Sequence, residues 1–180
     1  MHRRDLLKLG AAVAAAPAGS AQHHPAGGSS DLQSTNWKPL LFDTHQDQTV
    51  VALADQIIPA TDTPGAKAAL VNRYIDKLLH DGPARTQEAF LSGLAWLDGY
   101  AIRKHSRPFV RCSAAQQAAL LETLSDSEGE DATLEPGRTF FRIAKGIIAR
   151  TYYATQTGFN ELNKGGRVPS TFACKHPEHA

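Results

Sequence analysis

Apolar side chains return every three or four residues through most of this chain, and proline or glycine interrupts them repeatedly. That pattern restricts the chain to amphipathic helices packed on one another. From Thr44 onward, Val50, Val51, Ala54, Ile57 and Ile58 share one helical face, with Thr44 as the expected N-cap. Pro59 ends this helix, because the residue before a proline is pushed away from helical angles. Thr61-Asp62-Thr63-Pro64-Gly65 then reads as a turn-forming loop. A second helix is expected over residues 66–80, with Val71, Tyr74, Ile75, Leu78 and Leu79 as its stripe and Gly82-Pro83 as its stop. A third covers 84–104, with Phe90, Leu94, Leu97 and Ala101 on one face and Trp96 and Tyr100 off it.

Past Arg107-Pro108, Ser113 and Gln116 have capping-box spacing and open a short helix carrying Ala118, Leu121 and Leu124. Residues 125–137 are acidic and contain glycine and proline, the composition of a solvated loop. A last helix is expected over 138–157, with Phe140, Phe141, Ala144, Ile147, Ile148, Thr151 and Tyr152 on a broad face and Gly158 as its C-cap. No strand alternation, hairpin turn or internal repeat interrupts this reading. The fold class is therefore all-α, a single-domain bundle of about five helices. With 42% hydrophobic residues in 180, the chain can bury one ordinary core.

The amino terminus reads as an address. Arg3 and Arg4 precede leucines, an Ala-rich apolar run follows, and small residues around Ala18 and Ala21 offer cleavage sites. Paired arginines in this setting resemble the twin-arginine export signal. The apolar run is about half the roughly 20 residues that span a bilayer, so it is expected to be removed. The expected organisation is a signal over 1–21, a flexible spacer over 22–41 and a helical domain with an irregular tail over 42–180. Because the twin-arginine route carries folded proteins, the signal implies folding or assembly before export.

Charge and motifs exclude several functions. The formal net charge is +1, and Arg3, Arg4 and Lys8 against Asp5 put +2 of it in the leader, leaving about −1 on the rest. Such a domain has no electrostatic reason to bind nucleic acid or an anionic membrane surface. No dinucleotide glycine motif, phosphate-binding loop, nucleophile elbow or haem attachment sequence occurs. Two cysteines, Cys112 and Cys174, are too few for a cysteine-rich zinc site. They allow a mutual disulfide, an intersubunit disulfide or two free thiols. Arg111 beside Cys112 would favour a thiolate, but the sequence identifies no histidine partner for it. Among the eight histidines, His176 and His179 form the one close pair outside the spacer, and Pro177 between them argues against a rigid metal site. Asp62, on the proline-rich loop, reads as an Asx-type turn residue.

Residues 54–66, Ala-Asp-Gln-Ile-Ile-Pro-Ala-Thr-Asp-Thr-Pro-Gly-Ala, followed by Tyr74-Ile75-Asp76 and later by Tyr152-Tyr153 and Gly158, resemble the gluconate 2-dehydrogenase subunit 3 family. The resemblance runs from about Phe42 to Gly166. It implies a non-catalytic small subunit of a periplasmic sugar or polyol dehydrogenase, held at the inner membrane through its complex. It also implies a larger FAD-binding catalytic subunit and a multihaem cytochrome c subunit as partners, with FAD and haem c on those subunits and no cofactor on this one. In such complexes the small subunit carries the signal read by the twin-arginine translocase and escorts the flavoprotein through it.

An escort subunit needs an apolar surface for its partner to cover. The loop residues Ile57, Ile58, Pro59, Asp62, Pro64 and Gly65 are candidates, contacting the partner or folding the bundle. Trp96, Tyr100, Tyr153, Phe159 and Phe172 are further candidates because they fall outside the main stripes or in the tail. The alternative, from a different class, is a free-standing periplasmic ligand-binding or small enzymatic domain using Cys112, Asp62 or histidines.

Overall fold

A computed structural model describes residues 31–126 and 131–164. Among them are six α-helices and no strands: α1 (Thr44–Ile57), α2 (Val71–His80), α3 (Ala84–His105), α4 (Ala114–Ser125), α5 (Glu135–Ala154) and α6 (Gln156–Leu162). Short 3-10 turns at Phe109–Arg111 and Ala132–Leu134 precede α4 and α5. The bundle is built around α5, which packs against each of the other five helices. Its Ile148 meets a core whose largest enclosed members include Leu53, Ile75, Leu79, Leu97 and Phe109. Phe42, Phe90 and Phe140 continue that core as a chain of rings, with centroids 6.0 and 5.5 Å apart.

Two helix starts show how local chemistry sets the boundaries. Ser113 and Gln116 form the expected capping box at α4. At α1 the N-cap is Asp43 and not Thr44: its carboxylate accepts from the Gln46 N–H at 2.7 Å, and Gln46 Oε1 accepts from the Asp43 N–H at 2.9 Å. Moving the cap back by one residue lets both partners of a capping box engage.

The second helix is shorter than its apolar spacing predicts. Residues 66–70 form turns, because the Ala66 N–H closes the preceding loop onto the Ile58 carbonyl at 2.9 Å. Leu70 then takes a left-handed conformation, φ 55°, from which α2 starts at Val71. Leu78, expected in the stripe of α2, is 55% exposed. The last helix also differs from expectation. It starts at Glu135 with a proline in its first turn and ends at Ala154. Thr155 is extended and caps a new helix, accepting from the Gly158 N–H at 3.1 Å. Gly158 is thus an interior residue of α6, where a Cβ would collide with the Tyr152 carbonyl.

The stretch before α1, read as flexible spacer up to residue 41, is in part tied down. Asp76 on α2 is fully buried, and its carboxylate accepts the N–H groups of Leu40, Leu41 and Phe42 at 2.7, 3.0 and 2.8 Å. Arg73, one turn earlier, donates to the carbonyls of Leu32 and Ser34 at 2.8 Å each and lies over the Trp37 ring. Residues 31–42 therefore run as a strap across α2.

Candidate docking surface

Three surface features stand out on this frame. The first is the loop between α1 and α2. Its backbone is closed by the Ala66–Ile58 bond and by a 3.1 Å bond from the Thr61 N–H to the Thr63 carbonyl. Tyr152 on α5 reaches across to it, its hydroxyl donating to the Pro64 carbonyl at 2.6 Å. Burial pushes the Tyr152 phenol above its ordinary pKa, so it stays a donor. Gly65 is buried, and a Cβ there would sit 2.5 Å from the Ala60 nitrogen. Only glycine fits where these two backbone stretches meet.

This geometry sorts the candidate contact residues. Pro59, Asp62 and Pro64 are exposed, and Ile57 and Ile58 are half-buried with one side on the core. Gly65 is enclosed and offers nothing to a partner, which corrects its inclusion. Asp62 caps its own turn: the Thr61 hydroxyl donates to its carboxylate at 2.9 Å, and that bond holds its pKa below the ordinary carboxylate value. Beside the loop, Tyr153 is 44% exposed and Leu162 on α6 is 52% exposed. With Ile58, Thr63, Tyr152 and Glu161 they line a shallow cavity of about 270 Å³.

The second feature is a groove of about 590 Å³ between α3 and α5, walled mostly by Phe90, Gly93, Trp96, Phe140, Ile143 and Ile147. It exists because two glycines let rings lie against helix backbone. A Cβ on Gly93 would enter the Phe140 ring, and one on Gly137 would enter the Trp96 ring. Trp96 is half-buried there and stacks on Tyr100, with ring centroids 5.2 Å apart. Tyr100 itself is 4% exposed, a core residue rather than a surface contact. It lies off the main stripe because α3 buries a second face, the one under Trp96. Phe159 is half-buried. Phe172 lies outside the described residues. Ile143, which the apolar stripe of α5 omitted, is 45% exposed at this groove.

The third feature, a cationic cavity between α4 and α5, is lined by Arg138, Arg142 and Lys145. Sequence reading missed it, because cations on the outer face of an amphipathic helix look like ordinary solvated charge.

The groups considered for chemistry are otherwise engaged. Cys112 is buried, its thiol facing the carbonyls of Arg107 and Pro108. Burial raises its pKa, outweighing the nearby Arg107 charge, so it is a protonated thiol and not an activated nucleophile. Among the described residues it has no disulfide partner, and Cys174 lies outside them. His45 pairs with Asp98 at 2.5 Å, and Asp98 also accepts the Phe109 N–H at 2.9 Å, fixing the 3-10 turn that inserts Phe109 into the core. Among the described residues, no group of three or more His, Cys, Asp or Glu side chains could hold a metal ion. His176 and His179, like Arg3 and Arg4, lie outside those residues. No described helix is long and apolar enough to cross a membrane.

Fold and surface together define a single-domain all-α protein whose buried polar groups hold its architecture and whose open features are grooves. The family model described as gluconate 2-dehydrogenase subunit 3 matches residues 44–166, and the chain belongs to that family. The matched span holds all six helices, the closed loop and the three cavities. No curated protein and no solved structure matches the chain. The family is that of a small subunit of a dehydrogenase complex.

Proposed function

We propose that this chain is the non-catalytic small subunit of a periplasmic flavoprotein dehydrogenase of the gluconate, sugar or polyol type. It escorts the FAD-bearing catalytic subunit through twin-arginine export and stabilises it afterwards. The flavoprotein folds around FAD in the cytoplasm, docks on this bundle and leaves with it. A multihaem cytochrome c subunit takes the electrons, and the complex holds the chain at the inner membrane.

The match of residues 44–166 to the family carries this reading. The Arg3-Arg4 leader supports the export step, since a folded passenger needs a route that accepts folded protein. The groove under Trp96 and Ile143 supports docking: it is apolar, open and next to exposed aliphatic surface. The test replaces Arg3 and Arg4 together by lysine and follows dehydrogenase activity and flavoprotein in the periplasm. Both are expected to fall to background while the flavoprotein accumulates in the cytoplasm. Normal export of the flavoprotein by the variant strain would overturn the proposal.

A further inference from the structure

The cationic cavity between α4 and α5 has the composition of a ligand site. It encloses about 310 Å³ and brings together Arg138, Arg142 and Lys145, which follow one another along α5 at helical spacing. One acid, Glu135, shares the lining, and the Thr139 hydroxyl donates to it at 3.2 Å. Arg142 and Lys145 have no ion pair or hydrogen bond among the described residues. Arg138 spends one terminal nitrogen on the Asp131 carbonyl at 3.0 Å. The Asp131 carboxylate is committed elsewhere, accepting the Thr133 N–H and hydroxyl at 2.9 and 2.6 Å. Among the described residues, the Arg138 Nε is buried and has no hydrogen-bond partner. A buried donor without an acceptor is a standing penalty, and it leaves the guanidinium under-paired, so that an oxyanion at its remaining terminal nitrogen supplies charge compensation.

The floor of the cavity is apolar, formed by Leu124 and Phe141. A second cavity, also about 310 Å³, shares Ser125, Phe141 and Lys145 with it, and there Ile57 and Leu121 supply apolar wall beside Gln56 and Glu122. Seven residues of helix separate Arg138 from Lys145, a rise of about 10 Å. The geometry points to a binding site for an organic carboxylate: the anion at Arg138 and Arg142, its apolar body laid over Phe141 toward Ile57 and Leu121. A guanidinium fork matches a carboxylate in two parallel bonds, and the adjoining wall gives the carbon chain a dry surface. The carboxylate is either free in solution or borne on a protein partner.

The purified full chain is titrated calorimetrically with hexanoate, acetate, hexanol and inorganic phosphate. Hexanoate is expected to bind saturably, about tenfold or more tighter than acetate, hexanol or phosphate, because only it uses both the cations and the floor. Arg142→Gln with Lys145→Gln, two surface changes, is expected to weaken hexanoate about tenfold. Arg150→Gln with Lys67→Gln removes the same charge from exposed positions that line neither of these two cavities and is expected to leave binding unchanged. Absence of saturable hexanoate binding, phosphate binding as tightly, or equal loss in the two double variants would overturn the inference. Repeating the titration on the chain purified with its native partners distinguishes the sources. Retained binding means that the site takes a free carboxylate, and lost binding means that a partner's carboxylate fills it.

Discussion

The phenol of Tyr152 and the carbonyl of Pro64 meet at 2.6 Å across 88 residues of sequence, joining the end of α5 to the loop after α1. One bond thus couples the central helix to the loop that carries the most distinctive stretch of this sequence. Tyr152→Phe keeps the ring and removes the donor. It is expected to lower stability by about 1 kcal/mol, since water reaches the exposed Pro64 side of the bond. The sign of its pH dependence follows from burial. With the folded-state pKa raised above 10.0, the phenol's contribution is fully present below that value and is lost as pH rises through the folded one. Denaturant melts of wild type and variant should therefore converge in the alkaline range.

Two glycines on facing helices make opposite predictions. Gly146→Ala meets nothing within 4 Å and lies inside α5, so it should stabilise by about 0.5–1 kcal/mol through the unfolded chain's lost entropy. Gly93→Ala drives a methyl into the Phe140 ring. Overpacking of about 1–3 kcal/mol there outweighs the gain in helix propensity, so it should destabilise. Urea midpoints of the two variants should move in opposite directions.

Asp76 holds the strap through three backbone donors, so Asp76→Asn should release it. The amide side chain keeps one acceptor oxygen and loses the charge. A loss of about 2–3 kcal/mol is expected, taking hydrogen bonds to charged groups as the guide. Hydrogen exchange is the sharper measurement: the amides of Leu40, Leu41 and Phe42 should exchange faster, ahead of those in α5.

Asp47 behaves in the opposite sense to a stabilising carboxylate. Burial raises its pKa, and the 2.7 Å bond from the Asn72 side chain only partly offsets that. A raised folded-state value means that the folded protein favours the protonated form, so the ionised group costs stability at neutral pH. Asp47→Asn should be more stable than wild type at pH 7. The gain should shrink as pH falls through the raised value and vanish below the ordinary 3.8. Thermal melts across that range check it.

The sequence by itself determined the helical class and the breaks between helices. Apolar spacing and proline act locally: Pro59, Gly82-Pro83 and the Ser113–Gln116 box work through bonds within a few residues, and α1, α3, α4 and the end of α2 fall close to where they point. The family-like stretch from Ala54 to Ala66 was legible for the same reason, as a run of adjacent residues. Tertiary structure decided what depends on residues far apart in the chain. Leu70 turns left-handed because the loop must close on Ile58. Gly158 joins α6 because Thr155 turns extended and caps a new helix there, and the Tyr100 ring is buried because Trp96 covers it against Gly137. Arg138, Arg142 and Lys145 became a candidate site only when α4 packed beside them, since a cation's accessibility is set by what its neighbours enclose and not by its own place on a helix.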